Sequence, residues 1–503
     1  MPAQFVVDAS SKVQGHVEEE TVAWGAGEDI VVRWRESTRS LLQKEDWMLF
    51  EGTAAGFRSG EDDVTAISIL DDAVTAPALL VGRASGSLQL LSTGWNDCGR
   101  SLAWFKPSSS EVETSIKQNE IQHIDTSVSQ STTAVATKDN IFFYPLLDTS
   151  NIPALHRNTP DLVIGPIEAL DIKNMQGSQE FGFLRATRFM GNGDLALCMT
   201  GTTKPLRYLR RTPTGSVIVN AAKQQPSGRC TETFVNNDTQ RQNAWSLLPV
   251  SATSIPGGSG NAILSSYDDG TVRLQDLRSP SATDAIYQDH FELIAPMGPL
   301  ISHGMERFVV GSARTAILKI FDFRWTKGYC YTDALPCGKR PMIPPPKSLT
   351  SVPRLEFTER KCCFHSSGHL CTLHALARTD FYRPSCNVYL PVIRQDASPV
   401  YSLAKPSDMS SALYAGLAGE LVKMSLRDQE ADQQESSLME RWGKRNRCGY
   451  AYEESLTSMV ETGDGIALSD ISKSKRVPAV HRQTRQIVPI DMHESRRLDD
   501  FLT

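Results

Sequence analysis

An all-β fold of repeated hairpins is what this sequence predicts, and three observations carry the prediction. Between residues 60 and 430, short apolar runs alternate with Gly, Ser, Asp and Pro, and long helical periods are scarce. The stretch "LSSYDDGTVRLQDLR" (264–278) is echoed by "LLVGRASGSLQLLS" (79–92), "FVVGSARTAILKIFDFR" (308–324) and "LYAGLAGELVKMSL" (413–426), with weaker copies at 132–146 and 195–209. In each, an apolar run ends in a small residue, a turn follows, and alternating apolar positions resume, as at Leu88 and Leu90. The small residues are Gly82, Ala136, Gly201, Ser266, Gly311 and Gly416, so the gaps are 54, 65, 65, 45 and 105 residues by subtraction. The doubled last gap predicts a hidden unit between Lys361 and Val392, with "LCTLHALA" as its strand. Seven units with a mean spacing of about 56 residues match propeller repeats of ~40–45 residues lengthened by loop insertions. The predicted architecture is therefore a seven-bladed β-propeller.

In chain order, residues 1–29 show no sustained apolar period and are expected to be poorly ordered. In "IVVRWRESTRSLLQKEDWMLF" (30–50), Val31, Trp34, Leu41, Leu42, Met48 and Leu49 recur at spacings of three, four and seven. That period predicts a short amphipathic helical connector over 30–58. The propeller follows over 60–430. Residues 431–470 form an extension, and a closing strand is expected from 447–460 or, at the other end of the chain, from 20–34. Residues 471–503 read as a flexible basic tail. The insertions at 106–119, 223–242, 251–260 and 337–353 are polar or rich in Pro, Gly and Ser.

The bulk properties narrow the function classes. The chain has 503 residues, 40% of them hydrophobic and 22% charged, with a formal charge of −6. That balance argues against a chain-wide grip on nucleic acid or anionic lipid. No apolar run approaches the ~18 residues of a membrane span, and the N-terminus lacks the basic and apolar blocks of a signal peptide. A cytoplasmic and/or nuclear location without membrane partners is expected, and the ten cysteines read as free thiols.

Residues 264–278 run apolar, Ser, Ser, Tyr, Asp, Asp-Gly, Thr-Val-Arg-Leu, Gln-Asp. This order resembles the second half of a WD repeat, with Gln275 at the signature Trp, and Phe321 and Asp322 take the Trp-Asp position in a later unit. Asp269 and Gly270 are expected to supply the positive-φ pair of a two-residue turn. The resemblance is to the WD-repeat β-propellers and covers residues 60–430. Residues 31–70 and 398–426 further resemble fungal F-box/WD-repeat proteins. In that family an F-box docks the Skp1 adaptor of an SCF ubiquitin ligase while the propeller presents a substrate. The resemblance implies a non-catalytic substrate receptor, or a remnant of one, with a Skp1-type adaptor and a ubiquitination substrate as partners. Residues 1–29 are too short and too polar for a three-helix F-box, so a recognisable F-box is not expected within them.

No catalytic, cofactor or metal residue is assigned. Asp268, Asp269 and Asp276 lack the spacing of a calcium loop and read as turn chemistry. Cys362, Cys363, His365, His369, Cys371 and His374 offer soft ligands for zinc, but no pair of Cys-x-x-Cys knuckles accompanies them, and buried thiols with surface histidines are the plainer reading. There is no G-x-S-x-G elbow and no phosphate loop; the enzyme alternative is a propeller hydrolase with a site in its channel. The partner-binding candidates are Lys204, Arg207, Arg210 and Arg211 in "KPLRYLRRTP", where guanidinium forks suit phosphate or carboxylate. A solvated strand edge explains the same charges.

Overall fold

The computed structural model describes residues 6–14, 17–38, 43–70, 77–94, 98–106, 120–147, 162–172, 182–212, 215–219, 241–251, 260–279, 283–289, 295–304, 306–323, 386–390, 398–408, 410, 412–418, 420–425, 457–462 and 465–470. The class is all-β. Strands β1 (Val6–Gln14), β2 (Val17–Ala26), β3 (Asp29–Thr38) and β4 (Gln43–Phe50) form an antiparallel meander. Next come β5 (Val64–Leu70), β6 (Ala78–Arg83), β7 (Leu88–Ser92) and β8 (Ser101–Phe105), followed by β9 (Ile121–Ser127), β10 (Thr132–Thr137) and β11 (Asn140–Pro145). β12 (Leu162–Ile164) adds in parallel to the outer edge of β8, whereas β13 (Glu168–Asp171) closes the edge of β11. β14 (Phe183–Phe189), β15 (Leu195–Thr202), β16 (Leu206–Thr212) and β17 (Gly215–Val219) precede β18 (Gln242–Val250), β19 (Ala262–Tyr267), β20 (Thr271–Asp276) and β21 (Ala285–Gln288). Among the described residues the two groups are joined into one sheet through Thr200↔Asn243 and Thr202↔Gln242. β22 (Met297–His303), β23 (Arg307–Ser312), β24 (Ile317–Asp322) and β25 (Cys386–Tyr389) are extended by β29 (Thr457–Thr462) and β30 (Gly465–Asp470). β26 (Ser402–Ala404), β27 (Ala412–Leu417) and β28 (Glu420–Ser425) make a three-stranded sheet.

Apolar faces explain how these meanders stack. β6, β10, β19 and β27 are buried along their whole length, so their side chains find apolar neighbours on both faces. Leu79 and Val81 meet Ile30 and Val32 on one side, while Ala78 and Leu80 belong to the core with Ile121 and Ile124 on the other. The same happens at each following step. Ala136 and Phe143 pack with Leu184 and Leu197; Cys198 and Tyr208 with Ile263; Leu264 and Val272 with Phe308 and Val310. Val309 and Leu318 pack with Leu413 and Ala415, and Tyr414 and Ala412 with Val22 and Trp24 of β2. The first strands follow the same succession: β1 lies against β5, β5 against β9, β9 against β14, β14 against β18, β18 against β22, and β22 against β26. β26 in turn lies against β1.

The small residue that ends each apolar run has a steric reason. All six stand in the second strand of their group: Gly82 in β6, Ala136 in β10, Gly201 in β15, Ser266 in β19, Gly311 in β23 and Gly416 in β27. A Cβ on Gly82 would come within 2.5 Å of Ile121, where β9 begins, and one on Gly311 within 2.7 Å of Val400. The neighbouring chain fits only because no side chain is there. Gly25 in β2 obeys the same rule, its would-be Cβ lying 2.6 Å from Val64 at the start of β5. It precedes Gly82 by 57 residues, so "TVAWG" is a copy of the repeat that spacing from Gly82 onward passed over.

Several expectations are corrected. Residues 1–29, expected to be poorly ordered, contain β1 and β2, and the helical connector over 30–58 is instead β3, β4 and the turns after them. Val31 and Leu49 face Trp24 and Tyr414, whereas Ile30, Val32, Met48 and Phe50 face the β5–β7 side. Apolar residues on both faces erase the alternation of a half-buried strand and leave spacings that mimic a helix. The β-branched run Ile30, Val31 and Val32 favours the extended chain. At the 268–270 turn, only Gly270 has a positive φ, +80°. Asp269 instead accepts the Thr271 amide at 3.0 Å, an Asx turn that needs one left-handed residue rather than two. Residues 20–34 fall in β2 and β3, and β29 pairs with β25. The "LCTLHALA" strand and the 471–503 tail lie outside the described residues.

Candidate functional site

The four basic candidates sit on or beside β16, and the strand carries them apart. Lys204 is exposed in the turn before β16, and Arg207 is buried with its Nε 3.4 Å from the Lys204 carbonyl. Arg210 and Arg211 stand at the other end, roughly 20 Å away at ~3.3 Å per residue. There the Arg210 fork is engaged by Asp194, Nε to Oδ1 and Nη2 to Oδ2, both at 2.9 Å. That pairing pushes the Arg210 pKa up further. Arg211 donates to the Thr132 hydroxyl at 3.1 Å, approaches Glu168 at 3.8 Å and lies over the Phe143 ring. These two arginines bind neighbouring strands of the same chain. The group therefore divides into an exposed Lys204 at one rim and a paired Arg210 and Arg211 at the other.

The Lys204 rim carries a second group of residues that the sequence reading did not single out. β14 begins there, and alternation turns Leu184 and Ala186 inward while Phe183 and Arg185 face out. On β18 the same alternation buries Ala244 and exposes Trp245. The Arg185 guanidinium lies 5.1 Å from the Trp245 ring centroid and donates to Gln122 Oε1 at 3.0 Å, touching β18 and β9 at once. Beside it, the Lys138 ammonium stands 4.1 Å over the Phe183 ring, held by a backbone bond from Leu184 to the Lys138 carbonyl. Phe183 is 40% exposed and Trp245 36%. The only signal in the sequence is the outward aromatic in each alternating run, and isolated exposed aromatics are too common to stand out.

A third group lies where the first strands meet. The Asp8 carboxylate accepts the Ile69 amide of β5 at 2.8 Å and the Ala9 amide at 2.9 Å. Asp125 accepts the Phe189 amide at 2.6 Å and Arg188 Nη1 at 2.8 Å. Burial raises both carboxyl pKa values, opposed by those hydrogen bonds and by Arg188, which acts on both although they stand on β1 and β9. His123 is pushed well below the ordinary imidazole value by burial and then by Arg188. These acids spend their acceptors on backbone amides of the adjacent strand, which ties β1 to β5 and β9 to β14.

The acids of the 264–278 hairpin are likewise committed. Asp268 accepts Asn243 Nδ2 at 2.6 Å, Asp269 binds Thr271 and Arg273, and Asp276 binds Arg278. Gln275, at the signature Trp position, accepts the buried Tyr208 hydroxyl at 2.7 Å and so links β20 to β16. Among the described residues, no three His, Cys, Asp or Glu side chains are grouped to hold a metal. The cysteine and histidine group at 362–374 lies outside the described residues. No described helix is long and apolar enough to cross a membrane. The chain matches no protein-family model, and it has no match among curated proteins.

Proposed function

We propose that this chain is a seven-bladed β-propeller of WD-repeat type that acts as a non-catalytic protein-interaction scaffold. The observation that supports it is the succession of seven apolar cores between neighbouring strand groups among the described residues, the last of which joins β26–β28 to β1–β4. Stacked meanders that each need a neighbour on both faces leave no apolar face bare only when the first meets the last. Gly25 at the same steric position as Gly82 and Gly311 makes the N-terminal meander a repeat of the same kind. Class averages by electron cryomicroscopy are expected to show a seven-lobed disc; an open arc or another number of lobes overturns the reading.

The sharper form of this reading is a substrate receptor, or former receptor, of an SCF-type ubiquitin ligase. It rests on the resemblance of residues 398–426 to fungal F-box/WD-repeat proteins, since residues 30–50 supply strands rather than the helix of that family's connector. Tagged full-length chain is expected to capture a Skp1-type adaptor and a cullin from lysate. Absence of both removes the ligase role and leaves a scaffold of another complex.

A further inference from the structure

We propose that the rim formed by Phe183, Arg185 and Trp245, with Lys138, Lys204 and Arg241 around it, docks an acidic peptide segment carrying an aromatic or aliphatic side chain. The proposal rests on the scaffold reading and names the chemistry of its partner. Charge is the first argument. The chain as a whole carries −6, yet among the described residues none of Lys138, Arg185, Lys204 and Arg241 forms an ion pair with a carboxylate. The acids nearby do not cancel them. Asp269 is paired with Arg273 and Asp139 is buried, which leaves Asp171, exposed at the end of β13 opposite Asn140, and the half-buried Asp268 and Glu120 as the acids open to solvent beside these four cations among the described residues. The local sign is therefore opposite to that of the chain, which suits an acidic partner.

Geometry is the second argument. Arg185 is held on one side by the Trp245 ring and on another by Gln122, so one N–H is used and, among the described residues, no other hydrogen-bond partner engages the fork that could take a carboxylate. Its orientation is set before any partner arrives, which lowers the ordering cost of binding. Lys138 over Phe183 repeats the pattern one strand group away. Exposed aromatics beside fixed cations are the composition of interface anchors, and the exposed parts of Phe183 and Trp245 offer apolar surface to a side chain. Aromatic faces also stack on bases, but a net charge of −6 opposes a polyanion that extends well beyond the patch.

The test is fluorescence anisotropy on the full chain with three labelled probes: a short peptide of aspartate, glutamate and phenylalanine, its lysine-for-acid counterpart, and oligouridylate. The acidic peptide is expected to bind at least tenfold more tightly than the other two and to weaken with added salt. Arg185→Glu and Trp245→Ala are each expected to weaken it at least tenfold, while Arg278→Glu, exposed on the opposite rim, leaves it unchanged. Both informative side chains are exposed, and an unchanged circular dichroism melt checks each fold; should one variant unfold, the other decides. No binding of the acidic peptide, equal loss in Arg278→Glu, indifference to both rim substitutions, or tighter binding of oligouridylate overturns the proposal. The probe binds directly and the rim lies within three successive strand groups, those of β9–β11, β14–β16 and β18, so neither an empty adaptor capture nor an open arc in class averages changes what this titration reads.

Discussion

The Tyr414 hydroxyl donates a buried hydrogen bond of 2.7 Å to the Glu20 carboxylate across 394 residues of chain, and Arg33 bonds both. This group joins β27 to β2 and β3. Tyr414→Phe leaves a buried carboxylate short of one donor and is expected to cost about 1–3 kcal/mol. Arg33→Met leaves that carboxylate without its charge partner and is expected to cost more, about 3–5 kcal/mol. Urea denaturation measures both, and a neutral Arg33→Met would show that the two ends of the chain do not depend on this contact.

Close approach at Gly82 makes a second prediction. An added methyl would meet the Ile121 side chain at 2.5 Å, so Gly82→Ala is expected to destabilise by about 1–3 kcal/mol, and Gly25→Ala similarly against Val64. Gly165→Ala, with nothing within 4 Å, is the control and should stay within about 0.5 kcal/mol. Thermal midpoints of the three variants decide it.

Arg83 is fully buried, its guanidinium 3.6 Å from the Phe57 ring centroid, with Nη1 donating to the Glu28 and Asp62 carbonyls at 2.9 and 2.8 Å. Burial lowers its pKa to about 10 against the pull of Asp62 and Asp29, so it is still charged at neutral pH. Nη1 makes both bonds while the guanidinium plane lies against the ring, a planar contact that an ammonium does not reproduce, and Arg83→Lys is expected to lose about 1–3 kcal/mol. A chemical melt indistinguishable from that of the unsubstituted protein would mean the stack carries no weight.

Acidification should weaken the fold in two steps. His123 in the folded chain titrates well below 6.5, because of burial and then Arg188. The unfolded chain therefore binds a proton first, and stability falls as pH drops below 6.5. His303, lowered by burial, Lys405 and Arg307, adds in the same direction. Burial alone would raise Glu20, but Arg33, Lys423 and Tyr414 outweigh it and hold it below 4.5, so its contribution is lost at lower pH still. The raised Asp8 and Asp125 carboxyls act in the opposite sense, taking up protons in the folded state first. The unfolding midpoint is expected to drop between about pH 7.5 and about pH 5.5, with a shallower drop in His123→Gln. An identical slope in that variant would remove His123 from the account.

By itself the sequence determined the all-β class and the hairpins marked by Gly82, Ala136, Gly201, Ser266, Gly311 and Gly416. Gly270 acts through local backbone geometry, which neighbours in sequence define, whereas the small residue that ends each apolar run is legible as a pattern although its steric reason, Ile121 against Gly82 or Val400 against Gly311, lies in a distant strand. Only the tertiary structure decided that β1–β4 are strands, because Val31 and Ile30 face opposite cores supplied by β27 and β6. It also separated Lys204 from Arg210 and Arg211, and it placed Arg185 against Trp245. Those outcomes depend on strands distant in the chain, and the face a side chain presents acquires meaning only when the neighbouring sheet is in place.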